Sequence, residues 1–145
     1  MSFLQDPIAV AALISFIVQI IVLFLLVAGY SLKRKSKFRS HGLIMATAVV
    51  LHLITILTVM IPNFPIFFSA SIPLIDTLIG IIHGTLGSLG LILGIILVSA
   101  WQFKKDLTGC FKRKRIMLVT ITIWISALVI GIIIFGIYYL PYLLG

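Results

Sequence analysis

The stretch Ile75-Asp76-Thr77-Leu78-Ile79-Gly80-Ile81-Ile82-His83-Gly84-Thr85-Leu86-Gly87-Ser88-Leu89-Gly90-Leu91-Ile92-Leu93-Gly94-Ile95-Ile96-Leu97-Val98-Ser99-Ala100-Trp101 decides the fold. It is apolar well beyond the ~20 residues that carry a helix across ~30 Å of hydrocarbon. A helix is required there because lipid offers backbone N–H and C=O groups no partner. Asp76, Gly80, His83, Gly87, Gly90 and Gly94 recur at alternating intervals of four and three, so they form one continuous helical face. Small residues at that spacing let another backbone approach closely. The same bareness also leaves room for a flat cofactor beside a liganding histidine.

Three further apolar runs accompany it, at 7–32, 42–61 and 116–139. With 62% hydrophobic and 10% charged positions, little chain remains for a soluble domain. The expectation is a single all-α domain, an integral membrane four-helix antiparallel bundle with spans at 7–32, 42–61, 75–101 and 116–139. All eleven Lys and Arg fall in two clusters, Lys33 to Arg39 and Lys104 to Arg115, which follow the first and third spans. The positive-inside rule makes both connecting loops cytoplasmic and puts both termini outside. The net charge of +8 therefore reads as topology bias rather than nucleic-acid binding, with affinity for anionic lipid headgroups accompanying it. Aromatic belts agree: Tyr30, Trp101 and Phe103 on the basic side, Tyr138, Tyr139 and Tyr142 on the other. The first span lacks the basic n-region of a cleavable signal and reads as a permanent helix. The single Cys110 lies among basic loop residues and excludes an internal disulfide.

Two of the three histidines lie within spans, and an ionisable side chain at that depth is a functional candidate by default. His52 is nine residues from Ile61, and His83 seven or eight from the start of its span. At 1.5 Å per residue both sit roughly 11–14 Å below the outer surface. Facing imidazoles on antiparallel neighbours would suit haem iron or copper. The expected cofactor is haem b, with copper as the alternative, held by His52 and His83 and bordered by Gly87, Gly90 and Asp76. Asp76 has three readings: it complements its helix N-terminus, relays protons to His83, or hydrogen-bonds a ligand. Against haem, the outer half has no Lys or Arg for propionates, only Asn63, Ser69, Ser71, Gln5 and the tyrosines. A second metal pair, His41 with Met117, lies at the basic side, although His41 also reads as an interfacial histidine. Met45 and Met60 are soft donors for copper. The competing reading needs no cofactor: a structural or accessory subunit whose glycine face packs helices, working with a membrane-protein partner or as a homo-oligomer. Nothing in the chain has the pattern of a nucleophile–base pair, a phosphate loop or a Cys-rich metal site.

Two segments, Lys37-Phe38-Arg39-Ser40-His41-Gly42-Leu43-Ile44-Met45 and His83-Gly84-Thr85-Leu86-Gly87, carry a resemblance. A histidine opening a span after a basic loop, with a later His-Gly-x-x-Gly helix, resembles transmembrane cytochromes b of the ascorbate- and ferric-reductase type. It equally resembles a family of small four-helix prokaryotic membrane proteins of unknown function linked to haem–copper oxidase assembly. The resemblance covers about His41 to Trp101. It implies an electron-transfer or respiratory-oxidase maturation role in a prokaryotic cell membrane, with His52 and His83 as one ligand pair. Two haems would need four histidines, and the chain has three.

Overall fold

The structure, a computed structural model, describes residues 6–69, 72–104 and 114–144. Among these, α1 is Pro7–Arg34, α2 runs Phe38–Asn63, α3 is Leu74–Lys104 and α4 is Lys114–Tyr138. A short α5, Leu140–Leu144, follows. The protein is an all-α four-helix bundle, and all four long helices are long and apolar enough to cross a membrane. Gln5, Ser71, Cys110, Lys105, Lys112 and Arg113, which entered the sequence reading, lie outside the described residues.

Each helix extends past its apolar run at one end or both because backbone hydrogen bonding continues where the hydrocarbon ends. Asp6 caps α1, its carboxylate accepting from the N–H of Ile8 at 2.9 Å and of Ala9 at 3.3 Å, with Pro7 as first helical residue. Lys33 and Arg34 close α1, cations at the negative end of its dipole. The turn into α2 needs only Lys35, Ser36 and Lys37, and Ser36 takes the left-handed conformation with φ 56°.

α2 does not stop before Pro62. It is α-helical to Thr55, widens to a π-helix over Ile56–Met60, then makes a final turn, Ile61–Asn63. Pro62 offers no N–H, and its ring would strike the carbonyl of residue 58 in a regular helix; the wider turn just before it relieves that clash. Thr55, Thr58 and Asn63 also turn their side chains onto carbonyls four residues back, which loosens the same stretch. A 3₁₀ turn, Phe64–Phe68, then leads toward α3.

The helices form a ring in which α1 packs on α2, α2 on α3, α3 on α4 and α4 on α1. All neighbours are antiparallel, as cross-contacts show: His41 meets Gly29 and His52 meets Gln19, while Lys33 meets Met117 and Phe16 meets Phe135. The described basic side chains, Lys33, Arg34, Lys35, Lys37, Arg39, Lys114 and Arg115, accordingly gather at one end. At the centre lie Val22, Leu26, Ala48, Val49, Leu91, Trp124 and Leu128. Trp124 is wholly inaccessible. Most outward side chains, Phe24, Leu43, Leu57 and Ile133 among them, are large and apolar. In a bilayer they meet lipid, which is why the buried core is small for a chain of this length.

Candidate functional site

The glycine face of α3 is filled mainly from within the bundle. Trp124 lies against Gly90 and Gly94: a methyl at Gly90 would sit 3.4 Å from its Cβ, and one at Gly94 3.0 Å from its ring. Val49 closes the other side of Gly94. Phe64 lies over Gly84, and the His52 ring lies beside Gly87. The bare face thus admits an indole and an imidazole between three helices. No side chain larger than hydrogen fits at Gly94 without displacing Trp124 or Val49.

His52 is almost fully buried, at 2% exposure. Its Nε2 is 3.4 Å from the carbonyl oxygen of Gly87, which can only accept, so Nε2 carries the proton. Its Nδ1 then accepts from the Gln19 amide nitrogen at 3.1 Å. Both ring nitrogens are occupied, one toward α3 and one toward α1. The ring also tilts against Trp124, with centroids 4.9 Å apart.

His83 turns the other way. Its Nδ1 donates to the carbonyl oxygen of Ala127 on α4 at 3.0 Å, and the ring rests on Gly131, where an added methyl would come within 2.8 Å of Cε1. The tautomer follows: Nδ1 holds the proton and Nε2 keeps a lone pair, to which nothing bonds among the described residues.

Several site expectations are therefore corrected. His52 and His83 do not face each other. Their depths do not match either, because His52 is level with Gly87, one helical turn or ~6 Å deeper than His83. The count from Ile61 misled because α2 continues to Asn63 through the π-helical stretch. Gly87 and Gly90 border side chains rather than a vacant slot. Asp76 accepts a hydrogen bond from the Tyr138 hydroxyl across the α3–α4 seam and makes no bond to His83. At the basic end, His41 donates Nδ1–H to the Gly29 carbonyl at 2.7 Å, whereas Met117 faces the Lys33 ammonium at 3.5 Å. They do not form a His/Met pair.

An apolar cavity of about 160 Å³ remains in the outer half, between α1, α3, α4 and the end of α2. Phe16, Phe64, Phe135 and Tyr139 line it, with Gly80 and Gly131 giving it width. Polar residues line it from three of the four helices: Ser15 and Gln19 of α1, Asn63 of α2 and His83 of α3. Met60 lines it as well. This is the scale of a space that holds benzene, and it falls below the ~300 Å³ of drug-sized sites. A haem macrocycle is larger than either. With both His52 nitrogens engaged and Trp124 seated on the glycines, the residues do not fit a bis-histidine haem.

Sequence reasoning missed Gln19, Ser15 and Trp124. The signal for the first two was available, since a polar residue in mid-span tends to face the bundle interior. Comparison with protein-family models, with curated proteins and with solved structures finds no match to this chain.

Proposed function

We propose that this multi-pass membrane protein works without a resident haem, as an accessory subunit that receives a small lipid-borne molecule in the outer half of its bundle. The observation that supports it is the cavity that Gly80 lines, on which four polar residues converge. A largely apolar pocket with a few convergent polar groups is the physical form of a small-molecule site. His52, Gln19 and Trp124 act in this reading as the framework that holds α1, α2 and α4 apart at the right distance.

The resemblance of the His41–Trp101 region to small prokaryotic membrane proteins supports a prokaryotic cell membrane and a maturation or accessory role beside a larger membrane complex. The basic turns would then lie against anionic headgroups on the cytoplasmic side. Protein purified in native-lipid nanodiscs tests the reading. Expected are a small organic molecule retained near one per chain and no haem band in a reduced-minus-oxidised spectrum. A stoichiometric haem band lost in both His52→Ala and His83→Ala would overturn it.

One observation favours a second reading, copper. Met60 and His83 line the same cavity, and His83 Nε2 keeps its lone pair. A thioether and an imidazole together suit cuprous ion. Near-stoichiometric copper, lost on His83→Ala and on Met60→Leu, would establish it in place of the first.

A further inference from the structure

We infer that the outer cavity selects a hydroxylated aromatic ring, the reduced quinol or phenol head of a lipid-soluble molecule. This rests on the cavity being a ligand site at all, as proposed above.

The internal hydrogen bonds of the lining residues determine what they offer. His83 spends its Nδ1–H on the Ala127 carbonyl, leaving the Nε2 lone pair. Gln19 turns its amide to the His52 ring, with Nε2 at 3.1 Å and Oε1 at 3.2 Å from Nδ1, and keeps a second N–H. Asn63 spends one amide N–H on the Val59 carbonyl at 2.7 Å, leaving its second N–H and Oδ1. Of the polar groups lining this apolar space, His83 Nε2 is confined to accepting, whereas the Gln19 and Asn63 amides and the Ser15 and Tyr139 hydroxyls can donate. A complementary guest must donate to His83.

The remaining walls constrain its shape. Phe16 and Phe135 stack at 4.2 Å with planes 13° apart, and Tyr139 continues the stack at 5.8 Å. A flat ring suits such a wall, and about 160 Å³ admits one ring of benzene size. A hard cation would meet no carboxylate among the residues lining the cavity, so its charge would stay uncompensated in apolar surroundings. A neutral ring with hydroxyl donors meets each requirement. Its oxidised counterpart does not: a quinone has no hydroxyl to give His83 Nε2, which would stay buried and unpaired, a mismatch that disfavours it.

The test uses the full chain in phosphatidylcholine nanodiscs under anaerobic conditions. Calorimetric titration compares decyl-benzoquinol, decyl-benzoquinone and decylbenzene. Expected is saturable 1:1 binding of the quinol, at least tenfold tighter than either control. Ala12→Leu, which fills the cavity from α1, should abolish binding while keeping the thermal midpoint. Asn63→Leu should weaken the quinol and leave decylbenzene unchanged. Equal binding of all three probes, blocked by Ala12→Leu, would overturn the selectivity and leave the cavity reading standing. Quinol binding that Ala12→Leu leaves intact would place the site elsewhere. Absence of binding by every probe would overturn the quinol inference, and retention of no small molecule by the purified protein would overturn the cavity reading as well.

Discussion

Trp124→Ala tests the packing of the bundle most directly. The indole has no accessible surface and rests on Gly90 and Gly94. Truncation removes roughly 140 Å³ of side chain, and at about 24 cal/mol per Å³ of residual cavity the loss comes to about 3.4 kcal/mol if the space stays empty. No hydrophobic transfer contribution adds to this, since the separated helices still lie in lipid. The glycines have no side chains to swing into the gap, which keeps the loss near that upper value. Gly94→Leu perturbs the same contact from the other side, because its Cβ alone would come within 3.0 Å of the indole and 3.1 Å of Val49. Overpacking of that kind costs about 1–3 kcal/mol. In the double variant the leucine occupies the vacated volume, so the two losses should cancel in part, with a coupling of about 1–3 kcal/mol. Reversible unfolding in dodecylmaltoside with increasing dodecyl sulfate, followed by tryptophan emission, measures all three variants, with Trp101 as the one reporter where Trp124 is replaced. Trp101 suits this purpose because it lies on Gly42 of the neighbouring helix. Additive losses, within about 0.5 kcal/mol, would refute the seating of the indole on Gly94.

Gln19→Leu removes the α1–α2 hydrogen bond and should cost about 0.6 kcal/mol, with about 1.7 as a ceiling, in the same assay; a neutral result would show that His52 is not held from α1. Ser36→Gly relieves a left-handed serine and should stabilise by about 0.5 kcal/mol once the extra freedom of glycine in the unfolded chain is subtracted. In a Cys110→Ser background, Ser36→Cys in whole cells should resist a membrane-impermeant maleimide while Ser69→Cys reacts. The reverse pattern would invert the orientation read from the basic clusters.

The helices were legible because hydrocarbon imposes a length on them, and the runs ending near Leu32 and Trp101 satisfy it with charge on the correct flank. The end of α2 was less legible. Pro62 reads as a stop, yet a widened turn carries the helix through it to Asn63. That displacement, though small, shifted the apparent depth of His52 and created the false pairing with His83. The face of α3 could be read because glycine, histidine and aspartate stand out among leucine and isoleucine. Its occupant could not: α4 is apolar all round, and such a helix gives no contrast to show which side turns inward. Trp124 therefore looked like any other large residue of its span. The polar lining of the cavity was half visible, through His83, and half overlooked, through Gln19 and Ser15.

The π-helical stretch Ile56–Met60 amounts to one surplus residue held within the wall of the bundle. It separates α2 into two reading frames. Up to Thr55 the helix is registered by the bond from His52 to Gln19; beyond Met60 it is registered by the cavity that Asn63 and Phe64 line. Deleting a single residue between the two frames would restore the regular helix without touching His52. It would leave Asn63 and Phe64 on the cavity, because the widened turn is what absorbs the surplus residue; a regular α-helix of unchanged length would turn them about 100° away. The width of this one turn, more than the identity of its residues, governs which side chains the outer half of α2 shows to the interior.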